Sequence, residues 1–265
     1  MQIRMAGGLP LCQFDNLAGF AAVVHGVSTR RGGVSEAPWD TLNLSHTKGD
    51  DPVRVDENHR RFCQALQVLP GSVVTAYQVH GTRVARVTVA QRGERQAQCD
   101  ALMTDAPGVP LMLRFADCTP VLLYDPVRQS IGIAHAGWRG TVAQIATVTV
   151  TAMRDAFGSQ PGDLVAAIGP AIGPCCYAVG HEVIDQVHAH LPQASTLLPR
   201  VEGRQHFDLW AANRQQLAAC GVQNIEVAGV CTACHRDWFY SHRAEQGRCG
   251  HFAALLALRD QTEKP

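Results

Sequence analysis

The chain has 265 residues, 46% hydrophobic and 17% charged, with 23 basic side chains against 23 acidic ones. That is the composition of a globular protein with room for a substantial core. The charge balance and the lack of a basic tract argue against nucleic acid and anionic membrane as partners, and no apolar run approaches the roughly 20 residues that span a bilayer. Ten cysteines in a chain this long do not read as a secreted disulfide scaffold. Gly7, Gly8, Pro10 and Asp15 break the N-terminal apolar runs, so no signal peptide is expected. The expectation is one cytoplasmic domain over residues 1–265, a monomer with free thiols.

In chain order, the first 25 residues read as irregular up to a strand at residues 20–24. The glycines of residues 26–35 demand a loop. Asp50-Asp51-Pro52 starts a helix, with carboxylates at the positive end and proline in the first turn. Val55, Asn58, Phe62, Leu66 and Leu69 follow at helical spacing until Pro70-Gly71. Strands are expected at residues 73–77, 84–89 and 109–115, with a polar surface loop at 91–98 between them. Two apolar runs, 121–123 and 131–134, form a hairpin turning at Asp125-Pro126. Thr141 is placed to cap one long helix carrying Val142, Ile145, Thr149, Met153 and Phe157, with Gly158 beyond its end. A strand at 164–168 leads into a rigid Gly- and Pro-rich loop. Helices at 181–191 and 208–220 and strands at 225–230 and 252–258 complete the chain. Strands outnumber helices and come partly in hairpins, so the class is α+β, a mixed sheet with packed helices.

Among twelve histidines, His80 and His135 stand out with Cys118, because each lies at a strand end beside Gly or Pro. A thiol and an imidazole brought together by the hairpin serve as nucleophile and base, or as two ligands of one metal. With His80 the set becomes His, Cys, His, which leaves the fourth position of a tetrahedral zinc open for water or substrate. Spacing alone supports this weakly, and three separately buried polar residues is the plainer alternative. His-Ala-Gly-Trp-Arg-Gly at 135–140 is more specific. Its glycines let backbone approach a ligand, and Arg139 offers a planar fork of donors to an anion near a helix start. Thr-Arg-Arg-Gly-Gly at 29–33 repeats that logic. Cys231-Thr-Ala-Cys234-His235 matches a haem attachment pattern but lacks an export context. A four-thiolate zinc site from Cys175, Cys176, Cys231 and Cys234 is disfavoured because the first pair is adjacent. His188 and His190 diverge by about 200° on a helix and read as solvated.

The ordered segments Gly-Val-Ser-Thr-Arg-Arg-Gly-Gly-Val-Ser (26–35), Leu-Asn-Leu-Ser-His (42–46), Gly-Asp-Asp-Pro (49–52), Gln-Val-His-Gly (78–81), Ala-Asp-Cys-Thr-Pro-Val (116–121), His-Ala-Gly-Trp-Arg-Gly (135–140), Ile-Gly-Pro-Ala-Ile-Gly-Pro-Cys-Cys-Tyr (168–177) and Phe-Tyr-Ser-His-Arg (239–243) resemble the YfiH-like family. That family was long labelled multicopper polyphenol oxidase or laccase-domain and was later described as purine nucleoside phosphorylases. The resemblance implies a mixed β-sandwich with helices on its outer faces and a catalytic zinc on His80, Cys118 and His135. It also implies phosphate-dependent cleavage of adenosine, inosine and methylthioadenosine to free base and ribose 1-phosphate, with adenosine deamination. Arg30, Arg139 and Arg243 are expected to bind phosphate, and Asn43 to join the substrate site. Ala178 stands where the family usually has Glu, and His242 where it usually has Tyr, which leaves substrate preference open. Competing readings are a copper phenol oxidase, a metal-free Cys118–His135 hydrolase linked to cell-wall precursor editing, and a binding module without turnover.

Overall fold

A computed structural model describes residues 1–260. Two sheets carry the fold. In the first, the strands Gln2–Ala6, Leu9–Gln13, Val23–Ser28, Phe252–Leu258 and Leu111–Phe115 lie side by side in that order, antiparallel throughout. In the second, the order is Asn224–Val227, Val165–Ile168, Thr119–Asp125, Ser130–Ala136, Ala101–Thr104 and Val84–Arg86. Its two outer pairings are parallel and its centre antiparallel.

The period-2 geometry of strands explains the layering. Leu122 and Tyr124 pair with Ile133 and Ile131 and point inward, where they pack with Val27, Leu113 and Ala254 of the opposite sheet. Val121 and Leu123 face the other way, beneath Ile145, Val150 and Met153. Gly132 belongs to that outer face, where an added Cβ would stand 2.8 Å from the Met153 sulfur. On the far side of the first sheet, Phe62, Cys63 and Leu66 cover Leu9, Leu11 and Leu255. The architecture is thus a mixed β-sandwich with helices on its outer faces, as the sequence led us to expect. No helix among the described residues is long and apolar enough to cross a membrane.

Three local expectations are corrected. The N-terminal 25 residues are not irregular. They form the hairpin Gln2–Ala6 and Leu9–Gln13, turned by Gly7 and Gly8 at φ +52° and +84°, then a short helix Asp15–Ala18. The first strand is exposed from Gln2 to Met5 and half-buried only at Ala6, so it shows no buried-face alternation, although Gly-Gly between short strands was the available signal. Gly26 is strand rather than loop: an added Cβ would lie 3.0 Å from Leu66, so the glycine serves close packing. Finally, the helix expected from Thr141 is two helices, Trp138–Val142 and Ile145–Phe157, broken at Gln144 with φ +61°. Thr141 does not cap. Its hydroxyl accepts from Asn213 Nδ2 at 3.0 Å and its carbonyl from Gln216 Nε2 at 2.7 Å, which ties it to the helix Leu209–Ala219. The helix Pro52–Ala65 begins as expected, with the Asp51 carboxylate accepting from Val53 N–H. The strand Phe252–Leu258 matches its expected bounds.

Candidate active site

The central hairpin delivers two of the three reactive side chains. Cys118 immediately precedes the strand Thr119–Asp125, and His135 is the penultimate residue of Ser130–Ala136, paired with Pro120. His80 arrives from the loop before Val84–Arg86 with φ +62°, a conformation made tolerable by its hydrogen bonds. The Asp100 carboxylate, fully buried, accepts from the N–H groups of Val79, His80 and Gly81 at 3.0, 2.9 and 2.8 Å. It also accepts from His135 Nδ1 at 2.9 Å. One carboxylate therefore fixes the turn that presents His80 and the tautomer that leaves His135 Nε2 free toward Cys118.

The ligand atoms of His80, Cys118 and His135 lie within 4.8 Å of one another, and the two imidazole rings are 4.8 Å apart, edge to face. Two nitrogens and a thiolate suit a tetrahedral zinc, with a carboxylate behind one histidine and a fourth position open. Gly137 makes this approach feasible. A Cβ there would stand 3.0 Å from the His80 ring and 3.1 Å from the Cys118 sulfur.

Burial alone would push the Cys118 thiol up. The His135 and His80 imidazoles beside it overcome that and hold it at about 6. Burial alone would likewise push His135 down, but the Cys118 charge and the Asp100 carboxylate raise it to about 9. The sign follows for each partner. His135 binds its proton up to about pH 9 and loses the attraction above that; Cys118 is ionised down to about pH 6 and loses it below. Without metal, the two form a thiolate–imidazolium pair between those limits. In chelator-stripped protein, iodoacetamide labelling of the Cys118 peptide followed by mass spectrometry is expected to be half-maximal well below the ordinary thiol range, because the His135 and His80 imidazoles favour the thiolate. A midpoint near 9 would mean the pair does not form.

The three residues stand in a cleft of about 710 Å³. Lys48, Arg95, Arg114, Arg139 and Arg243 line it, with Asp117 as its one carboxylate. That carboxylate is already engaged, accepting from Thr232 Oγ1 at 2.7 Å and from Arg243 N–H at 2.7 Å. Among the described residues, Lys48, Arg95, Arg114 and Arg243 have no ion-pair partner, while Arg139 meets Glu182 at 3.4 Å in an exposed pair. Arg114, pushed down to about 10 by burial and then by Arg95, donates from Nε to the Leu44 carbonyl. The cleft is strongly cationic in a chain with no net charge, as an anion site requires. His251 also faces it. Burial first, then the charges of Lys48 and Arg114, hold that imidazole well below its usual range, and its Nδ1 has no partner among the described residues.

Arg139 and Arg243, expected from the sequence to bind phosphate, stand on the cleft wall, with Arg139 over the Trp138 ring and Arg243 over Tyr177. Arg30 does not. Its guanidinium donates to the carbonyls of Asp40 and Arg236 and pairs with Glu245 at 3.0 Å, pinning the glycine loop instead of lining the cleft. Asn43 is likewise structural. It is fully buried, and its amide bonds to Asp50, to Ser45 and to the backbone N–H of His251. Asparagine in a loop reads equally as ligand donor or loop brace, and here it braces. Sequence reasoning missed Asp100, which carries no motif, and the cations Lys48, Arg95 and Arg114, which come from separate segments. Of the two family departures, His242 lines the cleft, and Ala178 contributes only its carbonyl, accepting from Arg243 Nη1 at 2.8 Å.

A second cluster overturns an expectation. Cys175, Cys176, Cys231 and Cys234, disfavoured as a group for their spacing, bring their sulfurs within 4.8 Å of one another. His188 and His190 are both exposed on the helix His181–His190. All ten cysteines are free thiols.

Comparison with known proteins places this arrangement. Residues 24–259 match the family model described as multi-copper polyphenol oxidoreductase laccase. The chain is 41% identical over 253 residues to a purine nucleoside phosphorylase of Deinococcus radiodurans, covering 96% of this chain and 94% of that one. It is 40% identical to the purine nucleoside phosphorylase YlmD of Geobacillus stearothermophilus, covering 91% and 92%. The crystal structure of YlmD from Geobacillus stearothermophilus superposes with a TM-score of 0.90 at 37% identity, covering 98% of both chains. The chain belongs to the YfiH-like, laccase-domain family.

Proposed function

We propose that the protein is a zinc-dependent purine nucleoside phosphorylase that splits adenosine, inosine or methylthioadenosine with phosphate into free base and ribose 1-phosphate, and that it also deaminates adenosine. The observation that carries this is the convergence of the His80–Cys118–His135 donor set and five cationic side chains in one cleft. The curated names of the relatives point the same way.

Zinc on His80, Cys118 and His135 would supply Lewis acidity at its open position. The remaining work falls to the chain. In phosphorolysis a phosphate oxygen bonds to the ribose C1′ carbon while the bond from C1′ to the purine nitrogen breaks, and the electron pair leaves with the base. Arg139 and Arg243, with Lys48, Arg95 and Arg114 around them, hold the phosphate against the repulsion its charge would meet in a neutral pocket. Trp138 and Tyr177 on the cleft wall brace the Arg139 and Arg243 guanidiniums that lie over their rings. Asp100 touches no substrate; it positions His80 and His135.

Incubation of zinc-loaded protein with adenosine or inosine is expected to release adenine or hypoxanthine together with ribose 1-phosphate only when phosphate is present. Adenosine is also expected to yield inosine without phosphate. Absence of base release in phosphate overturns the reading. Arg243→Ala is expected to raise the KM for phosphate by about 10-fold or more, the loss of a charge-assisted contact. Arg30→Ala should leave that KM unchanged and lower thermal stability instead. Steady-state kinetics with phosphate varied separates the two.

One observation favours a second reading. The lowered thiol of Cys118 beside a raised imidazole is also the signature of a cysteine nucleophile. It requires that chelation leave the activity intact.

A further inference from the structure

The Gly- and Pro-rich loop at residues 169–177 runs beside the loop at 231–235, joined by a parallel bridge between Ala171 and Cys231. Backbone bonds lock the contact: Thr232 N–H donates to the Ala171 carbonyl at 3.0 Å, and Ala171 N–H to the Val230 carbonyl at 3.3 Å. The consequence is that an adjacent pair, Cys175 and Cys176, meets a Cys-x-x-Cys pair, Cys231 and Cys234. We propose that these four cysteines hold a structural zinc ion, a second metal site independent of His80, Cys118 and His135.

The geometry argues for one ion at the centre. Zinc–thiolate bonds of about 2.3 Å place tetrahedral sulfurs about 3.8 Å apart. Here the Cys234 sulfur lies 3.5 Å from that of Cys175 and 3.4 Å from that of Cys176, and all four fall within 4.8 Å of one another. Disulfide bonding needs about 2.05 Å, and none of the four is paired. A polynuclear iron–sulfur cluster spreads its thiolates over separate irons and needs a wider cage. One of the four sulfurs, that of Cys231, has a backbone donor. Gly173 N–H donates to the Cys231 sulfur at 3.2 Å, a backbone bond of the kind that supports metal thiolates. Gly173 also has no room for a side chain: an added Cβ would lie 2.9 Å from the Trp210 ring and 3.1 Å from the Cys231 Cβ. Two of the four thiols, Cys175 and Cys234, are exposed, which gives the ion a path in.

The ion's role follows from what the two loops carry. Ile172 and Tyr177 of the first loop line the cleft. Thr232 of the second donates to Asp117 at 2.7 Å, next in sequence to Cys118. Four thiolates on one ion therefore add a fastening, beyond the Ala171–Cys231 bridge and the Gly173–Cys231 bond, between the loop that lends Ile172 and Tyr177 to the cleft and the loop whose Thr232 holds Asp117. Uptake of zinc converts four thiols to four thiolates and releases the protons to solvent.

The test is zinc content by elemental analysis after gel filtration in the presence of a reductant. Wild-type protein is expected to carry two equivalents, His80→Ala/His135→Ala one, and that variant with Cys175→Ser/Cys234→Ser added none. Cobalt loading of the His80→Ala/His135→Ala chain gives an independent reading, the thiolate-to-cobalt charge-transfer band of a four-sulfur site, even if the serine variants fold poorly. A single equivalent in wild type that disappears with the histidines overturns the proposal, as does a Cys234 crosslinked to Cys175 or Cys176 in place of metal. A single equivalent that survives loss of the histidines and disappears with the cysteines would instead overturn the catalytic zinc.

Discussion

Asp100→Asn is expected to weaken zinc binding by about 10–100-fold, the usual cost of removing a carboxylate behind a metal-bound histidine, and to lower kcat for base release with it. The reason is local. Asp100 is completely buried and accepts four hydrogen bonds, three from consecutive backbone N–H groups and one from His135 Nδ1. An amide has one oxygen and presents two N–H donors on the other side, so at least one donor loses its acceptor and another meets an N–H. Burial would raise the Asp100 carboxyl, but the bond from His135, followed by those from Gly81 and Val79, brings it below its ordinary value. Its contribution to stability is therefore present above the usual carboxylate range and lost as pH falls through the lowered value. Zinc affinity by competition with a chromophoric chelator checks the effect, and Asp100→Glu controls for charge at altered geometry. Unchanged affinity in Asp100→Asn would remove the residue from the site.

The second large effect is expected at the donors themselves. His135→Ala should lose the catalytic zinc and lower phosphate-dependent base release by about 10³-fold, equivalent to roughly 4 kcal/mol of Lewis-acid stabilisation. His80→Ala should do the same with less harm to the fold, because His80 is exposed whereas His135 is buried on a central strand. Thermal unfolding of both variants separates the two causes. A His80→Ala protein with wild-type zinc content and turnover would contradict the ligand set.

What could be read from the sequence follows physical range. The hairpin at 119–136 was legible because its apolar runs are local and its turn chemistry explicit. With it came Cys118 and His135. His80 entered through its glycine-flanked position and the family resemblance. Asp100 was hidden, since a lone carboxylate before an apolar segment looks like any strand-edge residue until three N–H groups turn toward it. Arg30 and Arg139 look alike in sequence, each an arginine beside glycines. Only tertiary contacts distinguish Arg30, spent on Glu245 and two carbonyls, from Arg139 on the cleft wall. The four-cysteine cluster failed for a similar reason. Sequence spacing describes ligands on one loop, whereas here a bridge between Ala171 and Cys231 brings two loops together.

The most direct test of the central claim is zinc add-back to chelator-stripped wild-type protein, with base release from inosine followed at saturating phosphate. The account predicts no phosphate-dependent release in the stripped protein and recovery in proportion to occupancy of the His80–Cys118–His135 site. Undiminished phosphorolysis in the stripped protein, with zinc absent by elemental analysis, would contradict it.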